Sequence, residues 1–131
     1  DELEPSKAET TKILEVSNEE NFDPEKTWQK GSYALRKLYH ETQKPLFVIY
    51  TSSSCGPCHI LKPQLHRVLN ESNGKAIGVE IDIENDQDIA KQADVSGTPT
   101  VHLFKNKELK KQWKGVKARS EYKSALDELV D

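Results

Sequence analysis

Leu46-Phe47-Val48-Ile49-Tyr50-Thr51-Ser52-Ser53-Ser54-Cys55-Gly56-Pro57-Cys58-His59-Ile60-Leu61-Lys62-Pro63 holds both cysteines of the chain and the apolar run just before them. Leu46 to Thr51 is dense in β-branched and aromatic residues, which predicts a strand. Ser52 to Ser54 read as a small polar loop. Ile60, Leu61, Leu65, Val68 and Leu69 then recur at helical spacing. They predict a helix from about Cys55 to Glu71, kinked by Pro63 inside it. This strand–loop–helix order puts Cys55 at a helix N-terminus, where free N–H groups and the positive end of the dipole favour a thiolate. Cys58 falls about one turn later, its sulfur within reach of the first. Gly56 leaves space above the thiolate, and Pro57 loses nothing in a first turn by lacking an N–H. Two cysteines this close enclose almost no loop, so they suit redox chemistry or half a metal site better than a structural staple. As a redox pair, Cys55 attacks a target disulfide and Cys58 resolves the mixed disulfide. The second step is intramolecular and gains from high effective concentration.

Toward the C-terminus, Asn73-Gly74 closes the helix. Ala76 to Ile83 predicts a strand, and Gln87 to Gln92 a short helix. Thr100 to Lys105 and Leu109 to Lys114 predict a hairpin with its turn at Asn106-Lys107. Gly115 follows, then a helix from Arg119 to Val130. Toward the N-terminus, Asp23-Pro24 is a helix start. Trp28, Ala34, Leu35, Leu38 and Tyr39 fall at helical spacing after it, up to about Glu41. Ile13 to Val16 predicts a short first strand. Residues 1–12 read as a disordered acidic tail or interdomain linker, and residues 13–131 as one folded domain. The order β-α-β-α-β-α-β-β-α implies an α/β fold with a mixed central sheet flanked by helices on both faces.

A second element supports the redox reading. Gly97-Thr98-Pro99-Thr100 precedes a strand, and Pro99 is a candidate cis-proline. A cis bond there would bring Thr98 and Pro99 beside the dithiol, with the Thr98 backbone free to pair with a target peptide by strand addition.

Composition narrows the classes. Net charge is −3 across 131 residues and no basic stripe appears, so non-specific nucleic-acid binding is not expected. No apolar run approaches the ~20 residues that span a bilayer. The chain holds no Met and opens on Asp1, so we expect a processed protein or a piece of a longer one. Cys58-His59 completes a Cys-x-x-Cys-His haem-attachment pattern. That reading wants a largely helical fold, and there is no Met to serve as distal ligand. Zinc wants four ligands. His59 and His66 could share a helix face, but no second close pair of ligands exists, so no metal is expected. His40 and His102 read as surface or packing residues. Trp28 and Trp113 read as packing residues, with Trp28 a candidate contact to a neighbouring module. The lysines from Lys105 to Lys117 read as a solvated hairpin face, with attraction of an acidic partner as the alternative.

The chain resembles the thioredoxin family over about residues 12–131. The matching motifs are Cys55-Gly56-Pro57-Cys58, Pro63, Ser96-Gly97-Thr98-Pro99-Thr100, Phe104-Lys105-Asn106 and Gly115. The resemblance implies the thioredoxin fold and a protein-disulfide reductase. Cys55 would be nucleophile and Cys58 the resolving thiol, with Pro99 cis; Gly56, Pro57, Gly97, Thr98, Pro99 and Gly115 would flank the bound target. Residues 31–41, Tyr50-Thr51-Ser52, Leu61-Lys62-Pro63 and Glu80-Ile81-Asp82-Ile83-Glu84 resemble more closely the C-terminal thioredoxin domain of the NADPH-thioredoxin reductase fusion of cyanobacteria and plastids. That likeness implies several things. Targets would be disulfide-containing proteins such as 2-Cys peroxiredoxin, and electrons would come from a flavin thioredoxin reductase module. FAD and NADPH would reside only in that module, with no cofactor in this chain. The location would be a cyanobacterial cytoplasm or plastid stroma.

Three positions depart from ordinary thioredoxins. Ser54 stands where they carry Trp, Ile49 where they carry a buried Asp, and Glu80 where they carry Lys. The usual proton acceptor for the resolving thiol is thus missing. Glu80, an acid in the apolar run Val79-Glu80-Ile81, is the candidate replacement; buried there, it would hold a proton more tightly than an exposed acid. The plainer reading turns Glu80 outward. Two rival functions stay open: a disulfide isomerase or oxidant, and a redox-regulated docking module on the same fold.

Overall fold

All six residues of the strand Leu46–Thr51 are buried. The computed structural model describes residues 26–130, and this strand is the middle of its sheet. In chain order the elements are β1 (Trp28–Lys30), α1 (Ser32–Glu41), β2 (Leu46–Thr51), α2 (Cys58–Glu71), β3 (Ile77–Asp82), α3 (Gln87–Gln92), β4 (Thr100–Lys105), β5 (Glu108–Lys114) and α4 (Arg119–Asp127). The five strands lie in the order β1-β3-β2-β4-β5. β3 runs parallel to both β1 and β2, while β4 is antiparallel to β2 and β5. This is the mixed α/β architecture expected from the sequence, with β2 at the centre of the sheet.

The period of two along β2 divides the core into two layers. Phe47 and Ile49 pack with Leu61, Leu65 and Leu69 of α2 and with Tyr122 and Leu126 of α4. Leu46, Val48 and Tyr50 pack on the other face with Leu38 of α1 and with Ile77, Val79 and Ile81 of β3, joined by Ile89 of α3. A strand buried on both faces needs apolar residues at every position, which is why β2 reads as an unbroken run. The hairpin turn lies at Asn106-Lys107, both residues having positive φ (52° and 69°). That backbone matches the right-handed twist of the paired strands.

The beginning of the chain departs from expectation. A helix was expected to run unbroken from Asp23-Pro24 to Glu41; instead Trp28–Lys30 is a strand, and the helix begins at Ser32. Two features override the helical spacing. Gly78 on β3 carries no side chain, and a Cβ there would lie 3.0 Å from the Trp28 ring, so the indole can lie across it. Gly31, at φ 97°, then turns the chain between strand and helix in a conformation that favours glycine. The expected strand at Ile13–Val16, the helix start at Asp23-Pro24 and the tail at residues 1–12 lie outside the described residues. A smaller correction concerns α2, which begins at Cys58 and not at Cys55. The Cys55 amide instead donates to the Ser52 carbonyl at 3.2 Å, closing a turn, and Gly56-Pro57 lead into the helix. At the other end, α4 stops at Asp127, short of Val130.

Candidate active site

The C-terminal end of β2 delivers the chain through Ser52–Ser54 to Cys55, and α2 begins three residues later. Cys55 and Cys58 are joined as a disulfide, with their Cα atoms 5.4 Å apart. The Cys58 amide, a free donor of the first helical turn, points at Cys55 Sγ at 3.2 Å. This puts a backbone N–H on the sulfur that becomes a thiolate on reduction, the stabilisation expected of a nucleophilic cysteine. The two sulfurs are not equivalent. Both cysteines are buried in the disulfide form, but Cys55, at 6% exposed, lies nearer the surface than Cys58, at 1%. Gly56 and Pro57 are exposed between them. A Cβ at Gly56 would meet no atom within 4 Å, so the space above it is open.

The cis-proline loop lies against this turn. The Thr98–Pro99 bond is cis. Ser52 Oγ and Thr98 Oγ1 lie 3.4 Å apart, and Thr100 Oγ1 donates to the Gly97 carbonyl at 2.8 Å. Gly115, at φ 84°, donates its amide to the Pro99 carbonyl at 2.9 Å and fixes the end of β5 to the same loop. Asp94, Gly97, Thr98, Pro99, Lys114 and Gly115 line a groove there. The Thr98 amide and carbonyl have no backbone partner among the described residues, as an edge that receives a peptide requires. Two exposed apolar side chains, Ile60 after the dithiol and Val116 after Gly115, add contact surface at this end.

Glu80 belongs to the layer beneath. It pairs with Ile49 across β2 and with Lys30 across β1. Its carboxylate turns toward α2 and is held from two sides. Oε2 meets Lys62 Nζ at 2.7 Å, and Oε1 accepts a hydrogen bond from the Trp28 indole at 3.3 Å. The Glu80 side chain is 13% exposed and that of Lys62 27%. Trp28 also stacks on His66, with ring centroids 3.7 Å apart. Burial pulls the His66 imidazolium below the usual histidine range; Lys30 and Lys62 act the same way and Glu80 opposes them. Glu80 is therefore neither the outward-facing residue of the plainer reading nor a solitary buried acid. Sequence reasoning missed the two groups that hold it. Lys62 lies four residues after Cys58, a spacing that shares a helix face, and that was the available signal. Trp28 was hidden by its assignment to a helix, and it packs within its own domain against the core.

The remaining sequence candidates fall outside the site. His59 and His40 are on the surface, while His102 is buried on the opposite face of the sheet. Trp113 packs against Phe47 and Tyr122. Among the described residues, no group of three or more His, Cys, Asp and Glu is placed to hold a metal ion, and no helix is long and apolar enough to cross a membrane.

With this geometry in view, known proteins give a consistent match. The thioredoxin family model matches residues 27–128. NADPH-dependent thioredoxin reductase 3 of Arabidopsis thaliana is 50% identical over 109 residues, covering 83% of this chain and 21% of that protein. Mitochondrial thioredoxin of Bos taurus is 32% identical over 89 residues, covering 68% of this chain and 54% of that protein. The chain thus spans about a fifth of the first relative and about half of the second. Among solved structures, an N21Q mutant thioredoxin from Halobacterium salinarum NRC-1 superposes with a TM-score of 0.72 at 20% identity, covering 85% of this chain and 96% of the other.

Proposed function

This chain belongs to the thioredoxin family, and from that premise we propose that it is a dithiol reductant of protein disulfides supplied by an NADPH-dependent flavin reductase module. Its coarser activity is thiol–disulfide oxidoreduction at Cys55–Cys58. The observation that carries the assignment of roles is the asymmetry of the pair: Cys55 lies nearer the surface with an amide on its sulfur, and Cys58 lies deeper behind it. The reduced Cys55 thiolate attacks the target disulfide, and one target thiolate leaves. Cys58 then gives up its proton and attacks Cys55 Sγ. The Cys55–Cys58 bond forms, the bond to the target breaks, and the second target thiolate leaves. Two electrons pass to the target, and two more from the reductase module reopen the disulfide. Glu80 takes the Cys58 proton in this scheme. The target strand lies along Thr98 and pairs with its free backbone groups.

The supply of electrons is inferred from the Arabidopsis relative, whose name couples NADPH-dependent reductase activity to a chain of which this one matches a fifth. From the resemblance of residues 31–41 and 80–84 to the reductase–thioredoxin fusion, we further propose a plastid stroma or cyanobacterial cytoplasm as its location and 2-Cys peroxiredoxin-type proteins as its targets. The deciding experiment is a redox titration of Cys55–Cys58 in defined thiol–disulfide buffers, read by alkylation and intact mass. Reducing thioredoxins sit near about −270 mV and isomerases near about −180 mV. A value below about −250 mV upholds the reductant; one near −180 mV replaces it with an isomerase.

A further inference from the structure

The resolving thiol has a support that the dithiol motif does not reveal. Cys58 and Lys62 are both on α2, four residues apart, so their Cα atoms are separated by about 6 Å along the axis and lie on one face. Lys62 reaches from that face to Glu80 on β3, and Trp28 on β1 reaches the other oxygen of the same carboxylate. Three elements meet at one side chain that is largely withdrawn from water. A surface pair would leave both ends mobile. Here the Trp28 ring is itself fixed between His66 and the bare backbone of Gly78, so its N–H has a set direction.

We infer that Lys62 and Trp28 are positioning residues: they hold the Glu80 carboxylate against the α2 face that also carries Cys58, as the acceptor of the resolving thiol's proton. The inference rests on the Glu80 role proposed above and adds the two groups through which that role is maintained. In the step itself, the Cys58 S–H proton passes to the Glu80 carboxylate. The sulfur electron pair forms the bond to Cys55 Sγ, and the target thiolate departs with the electrons of the broken bond. Lys62 holds its partner's Oε2 by the ion pair. Trp28 fixes which oxygen faces the lysine. The groups around the carboxylate are Lys62 and His66 from α2 and Trp28 and Lys30 from β1, with apolar Ile49 opposite on β2.

The test uses the full chain, reduced and mixed with 5,5′-dithiobis(2-nitrobenzoate) across a range of pH. The first thionitrobenzoate release reports attack by Cys55, and the second reports attack by Cys58. In Lys62→Met, the midpoint of the second phase should rise by about one pH unit, the order expected when an opposite charge at this distance is lost. Trp28→Phe keeps a stacked ring but loses the donor, and should move the midpoint about half as far. Lys62→Arg should restore the wild-type midpoint. In a Glu80→Gln background Lys62→Met should add nothing, because its effect runs through Glu80. The first phase should stay as in wild type throughout. If Lys62→Met does not fold, Lys62→Gln gives the same reading. A second phase unchanged by Lys62→Met and Trp28→Phe but altered by Glu80→Gln would overturn the positioning role and leave the Glu80 role standing. A second phase unchanged by Glu80→Gln would remove both.

Discussion

The two faces of the sheet each bury a titratable side chain, and they treat it in opposite ways. On the α2 face, Glu80 is given a cation and an N–H donor. On the α1 face, His102 of β4 is 2% exposed, and among the described residues neither of its ring nitrogens has a hydrogen-bond partner. It sits between Tyr50 and Phe104, with ring centroids 4.9 Å and 5.9 Å away in edge-on contact. An unpaired carboxylate cannot be kept charged away from water, whereas an imidazole can shed its proton and pack as a neutral ring. Burial accordingly holds the His102 imidazolium below the usual histidine range, and raises the Tyr50 phenol to about 12. The contrast teaches where charge is kept for use. The face covered by α2, which carries Cys58, maintains an ion pair, and the opposite face buries His102 as a neutral ring.

The comparison can be broken most forcefully at Trp28. Trp28→Ala removes the ring that spans Gly78 and His66, and should cost about 2–4 kcal/mol in a denaturant melt, in the range of large-to-small changes at packed sites. A cost below about 1 kcal/mol would mean that the Glu80 side of the sheet is not held as described. Lys62→Met comes next, at about 1–3 kcal/mol, because it leaves a largely buried carboxylate with the indole as its remaining donor. The exposure of Lys62 keeps the figure toward the lower end.

The folded chain holds His102 below the unfolded value of 6.5, so the unfolded chain binds the extra proton first. Its contribution is fully present above pH 6.5 and is lost as pH falls from there through the folded value. His102→Leu should match wild type within about 1 kcal/mol at pH 7 and lose less stability than wild type at pH 5 in parallel melts. Equal acid limbs would show that His102 is reached by water. The smallest effect is expected at the turn, remote from both faces. Lys107→Gly should gain up to about 1 kcal/mol by relieving a side chain at φ 69°, and leave the pH profile of disulfide exchange as it was.

Most of the fold was legible because its signals are local. The unbroken apolar run of β2, the helical spacing of α2, the short α3 and the Asn106-Lys107 turn each depend on a few adjacent residues. The redox pair and the Thr98–Pro99 loop were legible for the same reason, since the spacing within each motif carries its chemistry. Trp28–Lys30 was misread because three residues that fit a helical pattern also fit a strand, and only a partner with a bare glycine opposite settles which. Glu80 could be singled out as an acid among apolar neighbours, but not oriented, since alternation within a strand does not say which face a neighbouring helix will cover.

By itself, then, the chain determined an α/β domain with the Cys55–Cys58 pair between a buried strand and a helix, which follows from short-range apolar patterning; the cis state of Pro99 was expected only from its motif beside that pair. Tertiary structure alone decided that β1 is a strand, that Glu80 faces inward, and that Lys62 and Trp28 reach it from separate elements. Those contacts join positions 18 and 52 residues apart in the chain. Only the packing of α2 across a sheet in the order β1-β3-β2-β4-β5 brings them within hydrogen-bonding range.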